Sequence, residues 1–341
     1  MALKKVRIQD AIGMVLGHDM TKIVPGEYKG PAFRKGHIIR EEDIPHLLDI
    51  GKEHIYLLEL GEDQIHENEA AERIARMVGG TNTKLVGPVE GKINIIAGQD
   101  GLLKINRAAV TKINSVDYTV LSTLHGNRLV KSGEILAGVK VVPLTVDSQI
   151  IKAVERLAGE YRDIIAVKPL NPLKTGIITT GNEVFYGRIQ DRFGPVLRDK
   201  IEAYQAVFNG ITYQPDNTEA IAQAIRDQIQ AGSQVIIVTG GMSVDPDDVT
   251  PDAIRATGAE VITYGTPVLP GAMFMLAYME DIAIMGLPAC GMFSKITVLD
   301  LVLPRILAGE KLCKRDFAEM GYGGLCMGCE ECSYPCCPFG K

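Results

Sequence analysis

From Lys174 onward the chain repeats one pattern: a short apolar run, a break rich in glycine or polar residues, then a helical stretch. GIITT ends at Gly181, a helical run is expected around Asp199 to Asn209, and ITYQ follows. Next come a helix at Thr218 to Ala231, the run VIIVTGG, and a helix around Thr250 to Thr257. AEVITYG, DIAIMGLP and a last helix near Ser294 to Leu307 complete the series. Strands that alternate with helices make βαβ units on a mainly parallel sheet. VIIV and IAIM are almost wholly apolar, as strands covered on both faces must be. The expected fold class is therefore α/β: a three-layer, mainly parallel sheet over residues 171–310.

A smaller, mixed α+β and β-rich region is expected ahead of it. Residues 1–80 read as a mixed module, with a short helix in EEDIPHLLDIG, a strand in HIYLLEL and a helix in NEAAERIARMVGG capped by Asn68. Residues 81–170 read as mostly β, closing in a helix at Asp147 to Ala158. VKPLNPLKTG, with two prolines, marks the join, and residues 311–341 form a cysteine-rich tail.

A net charge of −6, few aromatic residues and no tryptophan argue against a nucleic-acid partner, which asks for clustered cations and stacking faces. No apolar stretch is long or clean enough to span a bilayer, and MALKKVRIQD lacks a signal-peptide core, so no membrane contact and a cytoplasmic location are expected. All seven cysteines lie from Cys290 onward, unlike the spread of a secreted disulfide scaffold. The six histidines show no ligand spacing and no G-x-S-x-G elbow occurs, which speaks against hydrolase triads.

In such sheets ligands bind beyond the carboxyl ends of the strands. The segments expected there are TTGNE, YQPDN, TGGMSVDPDD, YGTPVLPGAM and GLPACGM. Gly240 and Gly241 carry no side chain, and successive amides in a tight turn form an anion holder; Thr239 and Ser243 add hydroxyls. The same glycine pair is equally what a tight strand-to-helix turn needs. Asp245, Asp247 and Asp248 form either a solvated loop or a face toward a ligand or Mg²⁺, with Thr250-Pro251 as a helix start. Glu183 and Asp216 sit at neighbouring strand ends. Lys174, Arg188, Arg192 and Lys200 are candidate phosphate partners.

Over about Lys174 to Gly309 these strand ends resemble the molybdopterin-binding domain shared by molybdopterin molybdenumtransferases and molybdopterin adenylyltransferases. Thr180, Gly181, Asn182 and Glu183 match a threonine-glycine-Asp-Glu motif, and Asp216 with Asn217 matches a later Asp pair. Thr239, Gly240, Gly241 and Ser243 look like the glycine loop that cradles the pterin phosphate, with Asp247 and Asp248 in the acidic positions. Pro270-Gly271 and Leu287-Pro288 match two further turns. The resemblance implies molybdopterin or molybdenum cofactor as ligand, and Glu183, Asp216 and Asp248 positioning Mg²⁺ or the reacting anion. It also implies a homo-oligomer and a molybdoenzyme or other cofactor-pathway protein as partner. The whole chain is most similar to prokaryotic molybdopterin-binding proteins with a cysteine-rich C-terminal tail.

Three departures bear on the reaction. Asn182 replaces an aspartate, Ala289-Cys290-Gly291 replaces Gly-Asn-Pro, and no lysine stands beside Pro270-Gly271. They favour binding in cofactor biosynthesis, storage or delivery over Mg²⁺-dependent molybdate insertion. A non-catalytic regulatory or partner-docking module is the third expectation. In the tail, Cys326, Cys329, Cys332 and Cys336 have the spacing C-x2-C-x2-C-x3-C. Structural zinc, an iron–sulfur cluster and no stable metal all remain open for it.

Overall fold

The computed structural model describes residues 4–57 and 63–340. The chain divides into two compact units: Met1–Gly98, Ile105–Leu124 and Ser132–Ala166 in one, Gln99–Lys104, His125–Lys131 and Val167–Lys341 in the other.

In the first unit, strand Lys4–Arg7 pairs with His54–Leu57, and Met20–Val24 forms a hairpin with Tyr28–Phe33. With helix Asp43–Asp49 they enclose a small core of Ile8, Leu16, Ile39, Leu47 and Ile55. The last residues of HIYLLEL lie outside the described residues. An antiparallel four-stranded sheet follows, in the order Thr83–Val89, Lys92–Ala97, Ile135–Val141, Thr119–Thr123. Helices Glu67–Val78 and Ser148–Gly159 pack on each other beside it. Asn68 is not the cap of the first of these: its N–H donates to Nδ1 of His66, which caps instead. The His66 Nε2 faces the Gly17 carbonyl at 3.1 Å, and burial pushes the ring's pKa down. Helix Arg107–Asn114 interrupts the stretch expected to be mostly β. It buries only Ala109 and Ile113, so its periodicity is faint; Asn106, accepting from the Ala109 N–H at 3.0 Å, starts it.

The second unit is built on six strands, β1 (Lys174–Thr180), β2 (Val207–Gln214), β3 (Val235–Thr239), β4 (Glu260–Tyr264), β5 (Met275–Met279) and β6 (Ile282–Leu287), in the order β2-β1-β3-β6-β5-β4. The pairs β1–β2, β1–β3 and β3–β6 are parallel, whereas β5 runs antiparallel to both its neighbours. Sequence reading missed β5, because its apolar run continues directly from the Pro-Gly loop. Helices are α1 (Asn182–Phe185), α2 (Phe193–Ala203), α3 (Thr218–Gln230), α4 (Thr250–Ala256), α5 (Cys290–Phe293), α6 (Val298–Leu307) and α7 (Lys314–Glu319). One face of the sheet packs a core with Phe193, Leu197, Phe274 and Leu303, and the other packs Ile221, Ile225 and Ile254. Every residue of β3 is buried, as the apolar run requires.

Two helices differ from the sequence reading. α2 begins at Phe193, not Asp199, because the Asp191 carboxylate accepts from the Phe193 and Gly194 amides. The run from Ser294 begins as a helix only at Val298, where Thr297 and Asp300 form a reciprocal capping box. No helix among the described residues is long and apolar enough to cross a membrane.

Candidate functional site

The parallel strands end at one edge, and their register fixes which residues meet there. Thr179 lies between Tyr213 and Thr239, and Thr239 lies beside Leu287. β1 leaves the sheet through Gly181, whose φ of 134° few side chains adopt, into the single turn of α1. That turn carries Asn182 and Glu183. The Asn182 amide donates to Asp216 Oδ2 at 2.9 Å, and the Asp216 amide donates back to Asn182 Oδ1 at 3.4 Å. Asn182 therefore splices the ends of β1 and β2. An aspartate there could accept the same bond, yet would add a charge beside Asp216.

Asp216 carries the perturbed carboxyl of the group. Burial pushes its pKa up, the Asn182 N–H pulls it back, and Glu183, Asp248 and Asp247 push it up again by like-charge repulsion. The sign follows: stability from this group is present below the ordinary carboxylate range and is lost as pH rises through the raised value. Asp216→Asn is thus expected to raise the unfolding midpoint at neutral pH, with the gain vanishing in acid. A gain that persists in acid would show that charge is not its cause.

β3 leaves through Gly240 (φ 89°) and Gly241 (φ 55°). Gly240 answers a packing demand as much as ligand access: a Cβ there would stand 2.4 Å from the Thr180 carbonyl oxygen. Thr250, expected as a helix start, is the first residue of α4. Its hydroxyl donates to the Gly240 carbonyl at 2.8 Å and its amide to the Gly241 carbonyl at 3.2 Å, which pins the turn. Met242 is buried, with its sulfur against the Cα of Gly286, whereas Ser243 through Asp247 are exposed. Among the described residues, no acceptor takes a hydrogen bond from the Gly241, Met242 or Ser243 amides. The Thr239 hydroxyl is fully buried and has no hydrogen-bond partner among the described residues. Three free amides and an orphaned hydroxyl at a strand end make a site for an anion or a polar ligand.

The expected residues thus divide. Thr180, Gly181, Asn182, Glu183, Asp216, Thr239, Gly240, Gly241, Ser243, Asp247 and Asp248 come together on the ends of β2, β1 and β3. Pro270 and Gly271 seat α6: the Pro270 carbonyl accepts from the Val298 amide, and a Cβ on Gly271 would stand 2.5 Å from the Val298 side chain. Leu287 and Pro288 are buried in the sheet's own packing. Lys200 is not free for phosphate, since Asp300 at 2.6 Å and the Lys295 carbonyl take its ammonium. Arg188 stands over the Tyr186 ring, and Lys174 begins β1 at the opposite edge. Asp191 was missed; besides starting α2, it accepts from Thr179 Oγ1 at 3.5 Å and bonds Tyr213. Its only sequence signal is an aspartate just ahead of a helical run.

Neither the carboxylates nor the tail thiols, as placed, fit a single metal ion. Among the described residues, no group of three or more His, Cys, Asp or Glu side chains is arranged to hold one. The implied Mg²⁺ set of Glu183, Asp216 and Asp248 is therefore not assembled, and Asp248 turns one oxygen onto the Asp245 amide. Cys326 is partly buried, and Cys329, Cys332 and Cys336 are exposed.

The carboxyl edge of a mainly parallel sheet is where α/β folds of this kind bind small ligands, and here it gathers free amides, hydroxyls and carboxylates. Residues 176–308 match the family described as a probable molybdopterin binding domain, and residues 5–59 match a domain of unknown function. The former match ends ahead of the tail. A CinA-like protein of Mycobacterium tuberculosis (strain ATCC 25177 / H37Ra) is 32% identical over 90 residues, covering 26% of this chain and 21% of that protein. One of Mycobacterium leprae is 32% identical over 81 residues, covering 24% and 19%. The chain thus spans about a fifth of the length of the curated relatives it matches. Among solved structures, the molybdopterin biosynthesis enzyme MoaB of Thermus thermophilus is 20% identical with a TM-score of 0.34, over 40% of this chain and 98% of that one. The tungsten cofactor synthesizing protein MoaB of Pyrococcus furiosus is 16% identical with a TM-score of 0.34, over 40% and 96%.

Proposed function

We propose that the domain over residues 176–308 binds molybdopterin or the molybdenum cofactor, and that the chain serves biosynthesis, storage or delivery of that cofactor. The observation that carries the reading is the pairing of two unlike halves at one strand edge. The free amides of Gly241, Met242 and Ser243 offer donors to the pterin's phosphate, and the Glu183, Asp216, Asp247 and Asp248 carboxylates offer acceptors to its amino and ring N–H groups. The match to a probable molybdopterin binding domain supports the choice of ligand. When bound, the cofactor would supply a dithiolene for molybdenum; the protein's part is to hold and orient it. No chemical step is routed through Mg²⁺, since no three-donor set for it is gathered among the described residues.

Isothermal titration with molybdopterin and with its adenylylated form tests the reading, and no heat from either would reject it. Asp216→Ala is expected to weaken binding about tenfold to a hundredfold, the loss of one hydrogen bond to a charged acceptor. Thr239→Val separates binding from folding. It removes a buried hydroxyl with no protein partner, so the free chain should keep its stability or gain about 1 kcal/mol, while pterin affinity falls. A variant that loses stability and keeps affinity would place the Thr239 hydroxyl in the fold alone.

A further inference from the structure

The tail is built into the second unit. Leu325 bridges to Leu269, the Cys326 amide donates to the Leu269 carbonyl at 2.8 Å, and the Gly340 amide donates to the Gly323 carbonyl at 2.9 Å. Phe339 is 3% exposed inside the sheet's core, and Cys326 and Cys337 pack against the same cluster. Between these anchors the segment forms one wall of an open cavity of about 370 Å³. Cys329 and Cys332 both line that cavity, and both are exposed. The backbone bends at Glu330 and again at Glu331, so the chain turns between the two thiols.

A disulfide that forms and breaks needs two things: a thiol that another disulfide can reach, and a second thiol whose Cα comes within about 7 Å. A C-x-x-C segment folded through a bend meets the second condition, and exposure meets the first. The other cysteines each fail one of them. Cys326 and Cys337 are held by the core they pack against. Cys336 is exposed but lies off the cavity, with its amide held by the Ser333 carbonyl at 2.7 Å. Cys313 caps α7 and gives its thiol proton to Asp316 at 3.1 Å, and burial pushes the Cys290 thiol up at the start of α5.

We propose that Cys329 and Cys332 are a reversible dithiol–disulfide couple, oxidised by exchange with a low-molecular-weight disulfide. One of the two sulfurs attacks that disulfide, and the first departing thiolate takes its proton. The other sulfur then attacks the mixed disulfide, and the second half leaves as a thiol with the second proton. The chain gives up two electrons and two protons, and the small disulfide becomes two thiols. The inference is independent of the pterin reading, because thiols can be counted with no pterin present.

The folded full chain is equilibrated in glutathione buffer, the reduced form in about tenfold excess so that lone thiols stay largely free. It should then protect two of its seven cysteines from alkylation. Cleavage after Glu330 or Glu331 puts Cys329 and Cys332 on separate peptides, which should stay joined until reductant is added. Cys329→Ser and Cys332→Ser should each leave every remaining thiol open to alkylation, and Cys336→Ser should still form the link. Both paired positions are exposed, so their variants should unfold at the unchanged midpoint. In urea the link should give way to a mixture of pairings, since the bend and the packed neighbours are what select it. A link that survives either single variant, or that needs Cys336, would overturn the proposal. So would full alkylation of the oxidised chain, or the same mixture of pairings with and without urea.

Discussion

Gly240→Ala should lower the free energy of unfolding by about 3 kcal/mol, among the larger losses a single methyl group can cause. Two costs add. The residue sits at φ 89°, where an L side chain costs roughly 1–2 kcal/mol. The new Cβ would also stand 2.4 Å from the Thr180 carbonyl oxygen and 2.7 Å from its hydroxyl. The nearer obstacle is backbone in a buried central strand, which cannot swing aside, so β1 and β3 must part at their ends. Gly241→Ala is the control one residue on. Its φ of 55° lies in the left-handed well, and its nearest obstacle is the Thr250 hydroxyl at 2.9 Å, so about 1 kcal/mol is expected. Chemical denaturation at unchanged slope measures both. Equal, small losses would mean that β1 does not press on the Gly240 turn.

That contrast shows why sequence could locate the strand ends and yet misstate what their residues do. An apolar run that stops at glycine marks a strand end by itself, and five such stops on one edge located Thr180 through Glu183, Asp216 and Thr239 through Asp248. What a glycine makes room for depends on a neighbour distant in sequence, here Thr180 across the sheet. β5 was hidden for a simpler reason. VLPGAMFMLAYM passes from loop to strand with no polar break, and the alternation used to find strands needs one. Lys200 shows the same limit: a lysine near a candidate phosphate site carries no sign of the aspartate that holds it.

That aspartate gives the second large effect. The Asp300 side chain is 1% exposed and accepts from Lys200 at 2.6 Å, from the Tyr204 hydroxyl at 2.8 Å and from the Thr297 amide at 2.7 Å. Asp300→Ala removes one half of the α6 capping box, takes away the acceptor of the Tyr204 hydroxyl and the Thr297 amide, and leaves the largely buried Lys200 ammonium with only the Lys295 carbonyl. The expected loss is about 4 kcal/mol, within the range for breaking one side of a buried pair. Lys200→Met should cost about half as much, because Asp300 keeps two donors and the methionine fills the space of the lysine stem. The two residues share one interaction, so the double variant should lose less than the sum. Lys200→Met also decides what this lysine is for. If it belongs to the fold, pterin affinity should stay within about twofold while the unfolding midpoint drops. A tenfold loss of affinity at unchanged midpoint would return Lys200 to the ligand, and with it the phosphate role its position in the sequence suggests.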